Sequence, residues 1–162
     1  MIRDKVIPIS EIRDICRKLR GQGKTIVFSN GCFDLIHAGH VEYLEQAKGL
    51  GDVLVIGLNS DASVKRLKGN SRPIVPEDER AEVLAALESV DYVVVFEEDT
   101  PYDLIREVAP GILVKGGDWK TGEIVGADLV TARGGKVHNL HFRAGVSTSG
   151  IISRILELDR DN

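Results

Sequence analysis

Two histidines stand three residues apart in the run Gly31-Cys32-Phe33-Asp34-Leu35-Ile36-His37-Ala38-Gly39-His40, with a glycine between them. At a helix start this spacing puts both imidazoles on one face, where backbone N–H groups without intrahelical partners favour an anion. Gly39 leaves no side chain between the backbone and a ligand. Imidazoles so placed donate hydrogen bonds to phosphate oxygens whose charge redistributes in a transition state. A lone histidine in such a run is more often a cap or a satisfied core group, but two of them beside Gly39 and Asp34 read as a site. Reading Asp34, His37 and His40 as a metal triad matches no zinc signature, so no metal ligand is assigned and a metal hydrolase is a minor alternative. Cys32 has no base to activate it and is expected to form a small apolar wall. Gly21-Gln22-Gly23-Lys24-Thr25 imitates the end of a Walker A loop, but Lys18 stands where the first glycine is required, and the segment reads as a turn.

Three further clusters carry charge or hydroxyls. Asn59-Ser60-Asp61 precedes Lys65, Arg66, Lys68 and Arg72, with Gly69-Asn70-Ser71 as a flexible centre. Fixed cations on such a loop suit a polyphosphate, although any one of them alone reads as a solvated charge, and Arg80 shares that ambiguity. In Lys115-Gly116-Gly117-Asp118-Trp119 the glycines let the backbone approach a flat ligand, while Lys115 and Asp118 offer charge. Arg143-Ala144-Gly145-Val146-Ser147-Thr148-Ser149 supplies three hydroxyls at a helix start, where Ser147 suffices as the cap, and the surplus favours a second anion site.

These clusters need elements that bring them together. A helix capped by Ser10 carries Ile12, Ile15, Cys16 and Leu19 at helical spacing and stops at Gly21 and Gly23. Apolar runs at 25–28, 53–58, 92–96, 112–114 and 136–140 read as strands covered on both faces, with 29–34 as a loop. Helices are expected at 38–50, 61–67, 76–87 and 101–109, in a glycine-broken stretch reaching Arg133, and from a Ser147 cap through Leu158. Strands alternating with helices specify an α/β, Rossmann-like, doubly wound parallel sheet of five strands, whose ligands gather outside the strand carboxyl ends. The clusters follow the strands ending at Phe28, Leu58, Val114 and Leu140.

The chain has 162 residues, 21 Lys+Arg against 25 Asp+Glu and a formal charge of −4, with 43% apolar residues. That suits one domain with a proper core and disfavours a nucleic-acid-coating surface, so an anionic partner must be met locally. Cys16 and Cys32 show no CxxC or framework spacing, which fits a reducing compartment. The N-terminal residues carry mixed charges, and no apolar run reaches membrane-span length, so a cytoplasmic protein with no nucleic-acid or membrane partner is expected.

The two motifs Gly31-Cys32-Phe33-Asp34-x-x-His37-x-Gly39-His40 and Gly145-Val146-Ser147-Thr148-Ser149 resemble those of the cytidylyltransferase-like nucleotidyltransferases with a His-x-Gly-His signature. Within that group, segments 59–73, 96–101 and 114–118 are most similar to the D-glycero-β-D-manno-heptose 1-phosphate adenylyltransferases, an activity often found as the second half of a bifunctional heptose kinase/adenylyltransferase. The similarity runs from about residue 25 to 156. It implies a single nucleotidyltransferase domain over 1–162, with an N-terminal helical part at 1–23 and a catalytic core at 25–158. It also implies AMP transfer from ATP to the sugar 1-phosphate, Mg²⁺ arriving with ATP, a separate kinase to supply the sugar phosphate, and a homo-oligomer, a dimer in the first instance. Carried onto this chain, the catalytic set is His37, His40, Lys68 and Arg80. Gly31, Cys32, Phe33, Gly39, Arg72, Lys115, Gly116, Gly117, Asp118, Ser147, Thr148 and Ser149 fall to the nucleotide, and Asp34, Asn59, Asp61 and Arg143 to the acceptor. A CTP-dependent cytidylyltransferase for glycerol 3-phosphate, which has an arginine where Arg143 stands, and a non-catalytic nucleotide-binding module are the alternatives.

Overall fold

The computed structural model describes residues 1–161. Its strands are β1 (Ile26–Gly31), β2 (Val53–Asn59), β3 (Tyr92–Phe96), β4 (Ile112–Gly116) and β5 (Lys136–Leu140), paired in parallel in the order β3-β2-β1-β4-β5. The helices are α1 (Ile9–Gly21), α2 (Ala38–Lys48), α3 (Asp61–Lys68), α4 (Glu77–Ala86), α5 (Tyr102–Val108), α6 (Ala127–Ala132) and α7 (Thr148–Arg160). Because strand side chains alternate, each apolar run serves two cores. Phe28, Val55, Val94 and Leu113 pack with α1, α5 and α6 on one face. Val27, Leu54, Ile56 and Val114 pack with α2 and α4 on the other. Cys16 is part of the first core, as its helical spacing requires.

Several boundaries differ from the sequence expectation. α1 begins at Ile9 with Pro8 at its cap position, so Ser10 lies inside the first turn and caps nothing. Pro8 has φ −58, near the fixed value of its ring. Residues 29–31, expected as loop, continue β1, because Ser29, Asn30 and Gly31 remain in register with Ile56, Gly57 and Leu58. β4 likewise runs on to Gly116 against Leu140. At the N-terminus, Ile2–Lys5 forms a 3-10 turn, Val6 bridges Val93, and Ile7 N–H donates to the Val93 carbonyl at 2.9 Å. This strap pairs with the edge strand β3, which would otherwise be open there. No helix among the described residues is long and apolar enough to cross a membrane.

The register also opens the site. β1 pairs with β4 only at Val27↔Ile112 and Phe28↔Leu113, whereas β1 continues to Gly31 and β4 to Gly116. Beyond those pairs the two central strands diverge, at the place where the chain order reverses and doubly wound sheets form their crevice.

Candidate active site

A cavity of about 760 Å³ fills this divergence. Asn30, Gly31, Cys32, Phe33 and Asp34 line it from the end of β1, Lys115 and Gly116 from the end of β4, and His37 and His40 from the start of α2. Lys68 and Arg72 approach from the side of β2, and Ser147, Thr148 and Ser149 from the start of α7. The chain turns sharply out of β1: Phe33 is buried with φ 45, a left-handed conformation that bulky residues rarely adopt. Its ring lies 2.9 Å from where a Cβ on Gly31 would sit, so Gly31 makes room for it.

His37 occupies the cap position of α2 through its backbone, but its imidazole makes no capping bond. The His37 and His40 rings stack at 3.9 Å between centroids, and Phe33 tilts against His40 at 5.3 Å. Both Nδ1 atoms are buried without a hydrogen-bond partner. Buried polar atoms are nearly always partnered, so two orphans in one stack mark a place where something else completes the bonding. Burial pushes the pKa of His40 down to about 4, with His37 adding to the effect, and burial lowers that of His37 as well. Both imidazoles are therefore neutral at pH 7, each with one N–H donor and one acceptor nitrogen. The space over Gly39 is taken by His37, whose ring lies 3.0 Å from a Cβ position there. Gly39 thus serves the histidine stack, where a close ligand approach to its backbone had been expected.

On the side of β1 and β2 the arginines are already paired, while Lys68 has no carboxylate partner among the described residues. The Asp34 carboxylate accepts from Arg72 Nε at 2.7 Å, from Ile74 N–H at 2.9 Å and from Val75 N–H at 2.9 Å. Burial alone would raise its pKa, but those two amides and the Arg72 guanidinium outweigh it and hold the carboxyl below its ordinary value. Asp34 therefore orients the 72–75 loop. Arg80 is buried and does not line the cavity. It donates to the carbonyls of Val75 (2.8 Å), Cys32 (2.6 Å) and Asn59 (2.9 Å) and to the Asp61 carboxylate (2.7 Å). Expected at the substrate, it instead ties the ends of β1 and β2 to α3 and α4. Its partner Asp61 likewise lies off the cavity. Arg66 is drawn away to Asp99 at 2.8 Å. Asn59 does line the cavity, and its side-chain amide donates to Ser63 Oγ at 2.9 Å.

The side of β4, β5 and α7 is different. The Phe142 ring comes within 2.2 Å of a Cβ position on Gly116, so the flat group lying on that glycine is the chain's own ring. Gly117 has φ +104 and satisfies a turn that few other residues would tolerate. Asp118 and Arg143 lie outside the cavity: Asp118 is exposed, with His141 Nδ1 at 3.8 Å, and Arg143 pairs with Glu42 at 2.8 Å. Ser147 Oγ accepts from Gly150 N–H at 3.0 Å and caps α7 as expected, and Thr148 Oγ1 donates to the Leu35 carbonyl at 3.2 Å. The Ser149 hydroxyl, also on the cavity wall, has no hydrogen bond among the described residues.

Sequence reasoning did not single out Tyr43, Ile124, Val125 or Phe142, all of which line the cavity. The Tyr43 hydroxyl bonds Ser29 Oγ at 2.6 Å, and burial pushes its pKa up to about 12. Phe142 was visible only as an aromatic residue in a polar stretch just before the Ser147 motif.

Residues 28–154 match the family described as Cytidylyltransferase-like. Among curated proteins, the chain is similar to "Bifunctional protein HldE" of Syntrophotalea carbinolica, with 58% identity over 90% of this chain and 30% of that protein. It is also similar to the protein of that name from Wolinella succinogenes, with 52% identity over 94% of this chain and 31% of that protein. The chain thus spans under a third of the length of these relatives. Among solved structures it resembles a lipopolysaccharide core biosynthesis protein from Thermoplasma volcanium, with TM-score 0.60 and 31% identity over 75% of this chain and 98% of that one. A pantoate-beta-alanine ligase from Francisella tularensis shares the fold at TM-score 0.61 and 16% identity, over 90% of this chain and 69% of that one.

Proposed function

The chain belongs to the cytidylyltransferase-like family of nucleotidyltransferases, and from that premise we propose that it transfers AMP from ATP to D-glycero-β-D-manno-heptose 1-phosphate, giving ADP-heptose and pyrophosphate. The observation that carries this reading is the stacked His37–His40 pair, neutral and with both Nδ1 atoms unpartnered, in the crevice between the diverging strands. The choice of sugar is supported by the resemblance of segments 59–73, 96–101 and 114–118 to the heptose 1-phosphate adenylyltransferases. The relatives named HldE support it at the level of the family.

An oxygen of the sugar phosphate attacks the α-phosphorus of ATP in line. The new P–O bond forms as the bond to the β-phosphate bridging oxygen breaks, and the electron pair leaves with pyrophosphate. Because the acceptor is already an anion, no covalent intermediate on the enzyme is needed, and positioning with charge stabilisation suffices. His37 and His40 donate to the phosphate oxygens as charge shifts toward the leaving group. Ser147, Thr148 and Ser149 bind phosphate at the start of α7. Lys68 and Arg72 face the triphosphate, Gly116 and the loop after it lie at the base or ribose, and Asp34 and Arg80 position those groups.

Among the described residues no group of three or more His, Cys, Asp and Glu is gathered as a metal site. Asp34, the buried carboxylate of the cavity wall, is engaged by Arg72 and two amides. In this reading Mg²⁺ arrives with the triphosphate as part of the substrate. Homodimerisation belongs to the same reading and is supported by Ile155 and Leu156 of α7, 56% and 55% exposed.

The test is pyrophosphate release over a grid of ATP and CTP against heptose 1-phosphate, other sugar 1-phosphates and glycerol 3-phosphate. Release is expected with ATP and heptose 1-phosphate. Release confined to CTP with glycerol 3-phosphate would overturn the substrate assignment.

A further inference from the structure

The cavity reaches both faces of the sheet, and the alternation of strand side chains sorts its lining into two lobes. Val27, Leu54 and Val114 mark the face covered by α2 and α4, and Phe28, Val55 and Leu113 the face covered by α1, α5 and α6. By the same alternation Asn30, Asn59 and Lys115 end β1, β2 and β4 on the α5 face, opposite the histidine stack. A Cβ on Gly57 would lie 3.0 Å from the Leu104 side chain of α5 and 3.3 Å from Asn30 Cβ, which fixes Asn30 on that face.

The two lobes differ in chemistry. The lobe on the α2 face holds the imidazoles and the α7 hydroxyls, donors suited to phosphate. In the α5 lobe Asn30, Asn59 and Thr100 bring neutral polar groups, set against the apolar surface of Pro101, Ile124 and Val125. Asn59 is 3% exposed; its amide N–H donates to Ser63 Oγ, and its Oδ1 accepts from nothing among the described residues. The half-buried Asn30 amide and the Thr100 hydroxyl likewise have no hydrogen bond among the described residues. The Asp99 carboxylate beside Thr100 is held by Arg66 at 2.8 Å. Carboxamides and a hydroxyl both donate and accept, and against apolar carbon they match a molecule with hydroxyl edges and C–H faces.

We propose that the α5 lobe is the polyol subsite of the acceptor and that Asn30 is its specificity-determining residue, bonding hydroxyls of the sugar body while the phosphate end reaches the histidine stack through the strand divergence. The proposal rests on the nucleotidyl-transfer reading and makes a polyhydroxylated phosphate the substrate class. A short acceptor such as glycerol 3-phosphate would leave the lobe unfilled.

The experiment titrates wild type, Asn30→Ala and Thr100→Val calorimetrically with heptose 1-phosphate and, separately, with ATP, and records urea midpoints and pyrophosphate release alongside. Asn30→Ala is expected to weaken heptose 1-phosphate by roughly three- to tenfold, the scale of a lost neutral hydrogen bond. Thr100→Val should weaken it less, and both variants should keep the wild-type affinity for ATP. Urea midpoints should stay level, because neither side chain has a bond to lose in the free protein. Unchanged heptose 1-phosphate affinity in both variants, or an equal loss for ATP, overturns the proposal. It is also overturned if wild type binds no heptose 1-phosphate, even where pyrophosphate release with another acceptor upholds nucleotidyl transfer. If the loss is confined to heptose 1-phosphate while wild type releases no pyrophosphate from any nucleotide–acceptor pair, the polyol subsite stands and the transferase reading falls.

Discussion

The two walls of the cavity are built on opposite principles. On the wall of β1, β2 and the 72–75 loop every arginine is already bonded: Arg72 to Asp34, and Arg80 to Asp61 and three carbonyls. On the wall of β4, β5 and α7 Ser147 and Thr148 are bonded to Gly150 and Leu35, but the side chains of Lys115 and Ser149 have no hydrogen bond among the described residues. A wall whose arginines are already bonded fixes geometry, and on this one Lys68 is the lining cation left without a carboxylate among the described residues. A wall of unsatisfied groups binds, because a ligand supplies what the chain withholds. The histidine stack stands between them, rigid by its packing and unsatisfied at both Nδ1 atoms.

Substitutions should separate the two walls. The largest effect is expected for Arg80→Met, which strands one buried and two part-buried carbonyl acceptors and the Asp61 carboxylate; stability should fall by about 3 kcal/mol, read from urea denaturation. A fall of less than 1 kcal/mol would mean that the first wall is not held together by Arg80. Next, His40→Ala should reduce turnover roughly a hundred- to a thousandfold, as loss of one transition-state donor does. The same variant tests the titration. His40 has a folded pKa near 4, below the ordinary value of about 6.5 for an unfolded chain. Its burial therefore favours folding fully above about pH 6.5, and that contribution is lost as pH falls toward about 4. Wild-type stability should decline across this window, and the decline should flatten in His40→Ala.

A smaller loss, about 2 kcal/mol, is expected for Asp34→Asn, which weakens charge-assisted bonds to Arg72 and two amides. Because the folded carboxyl is held below its ordinary value, its contribution is present above the unfolded pKa and disappears as pH drops through the folded one. The gap between wild type and Asp34→Asn, measured by urea titration, should therefore close in acid. The smallest effect belongs to the open wall. Ser149→Ala should leave stability within about 0.5 kcal/mol of wild type while raising the KM for one substrate severalfold, and a stability loss comparable to that of Asp34→Asn would erase the contrast.

How much of this was legible in the sequence follows from the range of each interaction. The apolar runs of β3 and β5 were read to the residue, and the His37–Gly39–His40 spacing marked the crevice, because both are local patterns. The ends of β1 and β4 were read short, since polar Ser29, Asn30 and Lys115 are kept in the sheet by pairing with neighbouring strands. Asp34 and Arg72 are 38 residues apart, and nothing local shows that one saturates the other. Arg80 sits in a charged helical segment and looks solvated until its four acceptors are seen converging on it. Gly39 and Gly116 were expected to let a ligand approach the backbone, but the groups lying against them are His37 and Phe142 of the chain itself. Spacing reveals that room is needed, whereas only the fold reveals what fills it.

The central claim, nucleotidyl transfer to a sugar phosphate at the histidine stack, is tested most directly by following the α-phosphate. Wild-type protein is incubated with ATP labelled at that position, heptose 1-phosphate and Mg²⁺, and the products are separated. The account predicts that the label moves into ADP-heptose one-for-one with pyrophosphate release, and that His40→Ala slows both together by the same roughly hundred- to thousandfold factor. Label appearing instead as free AMP or as ADP, with none in a nucleotide sugar, would contradict it.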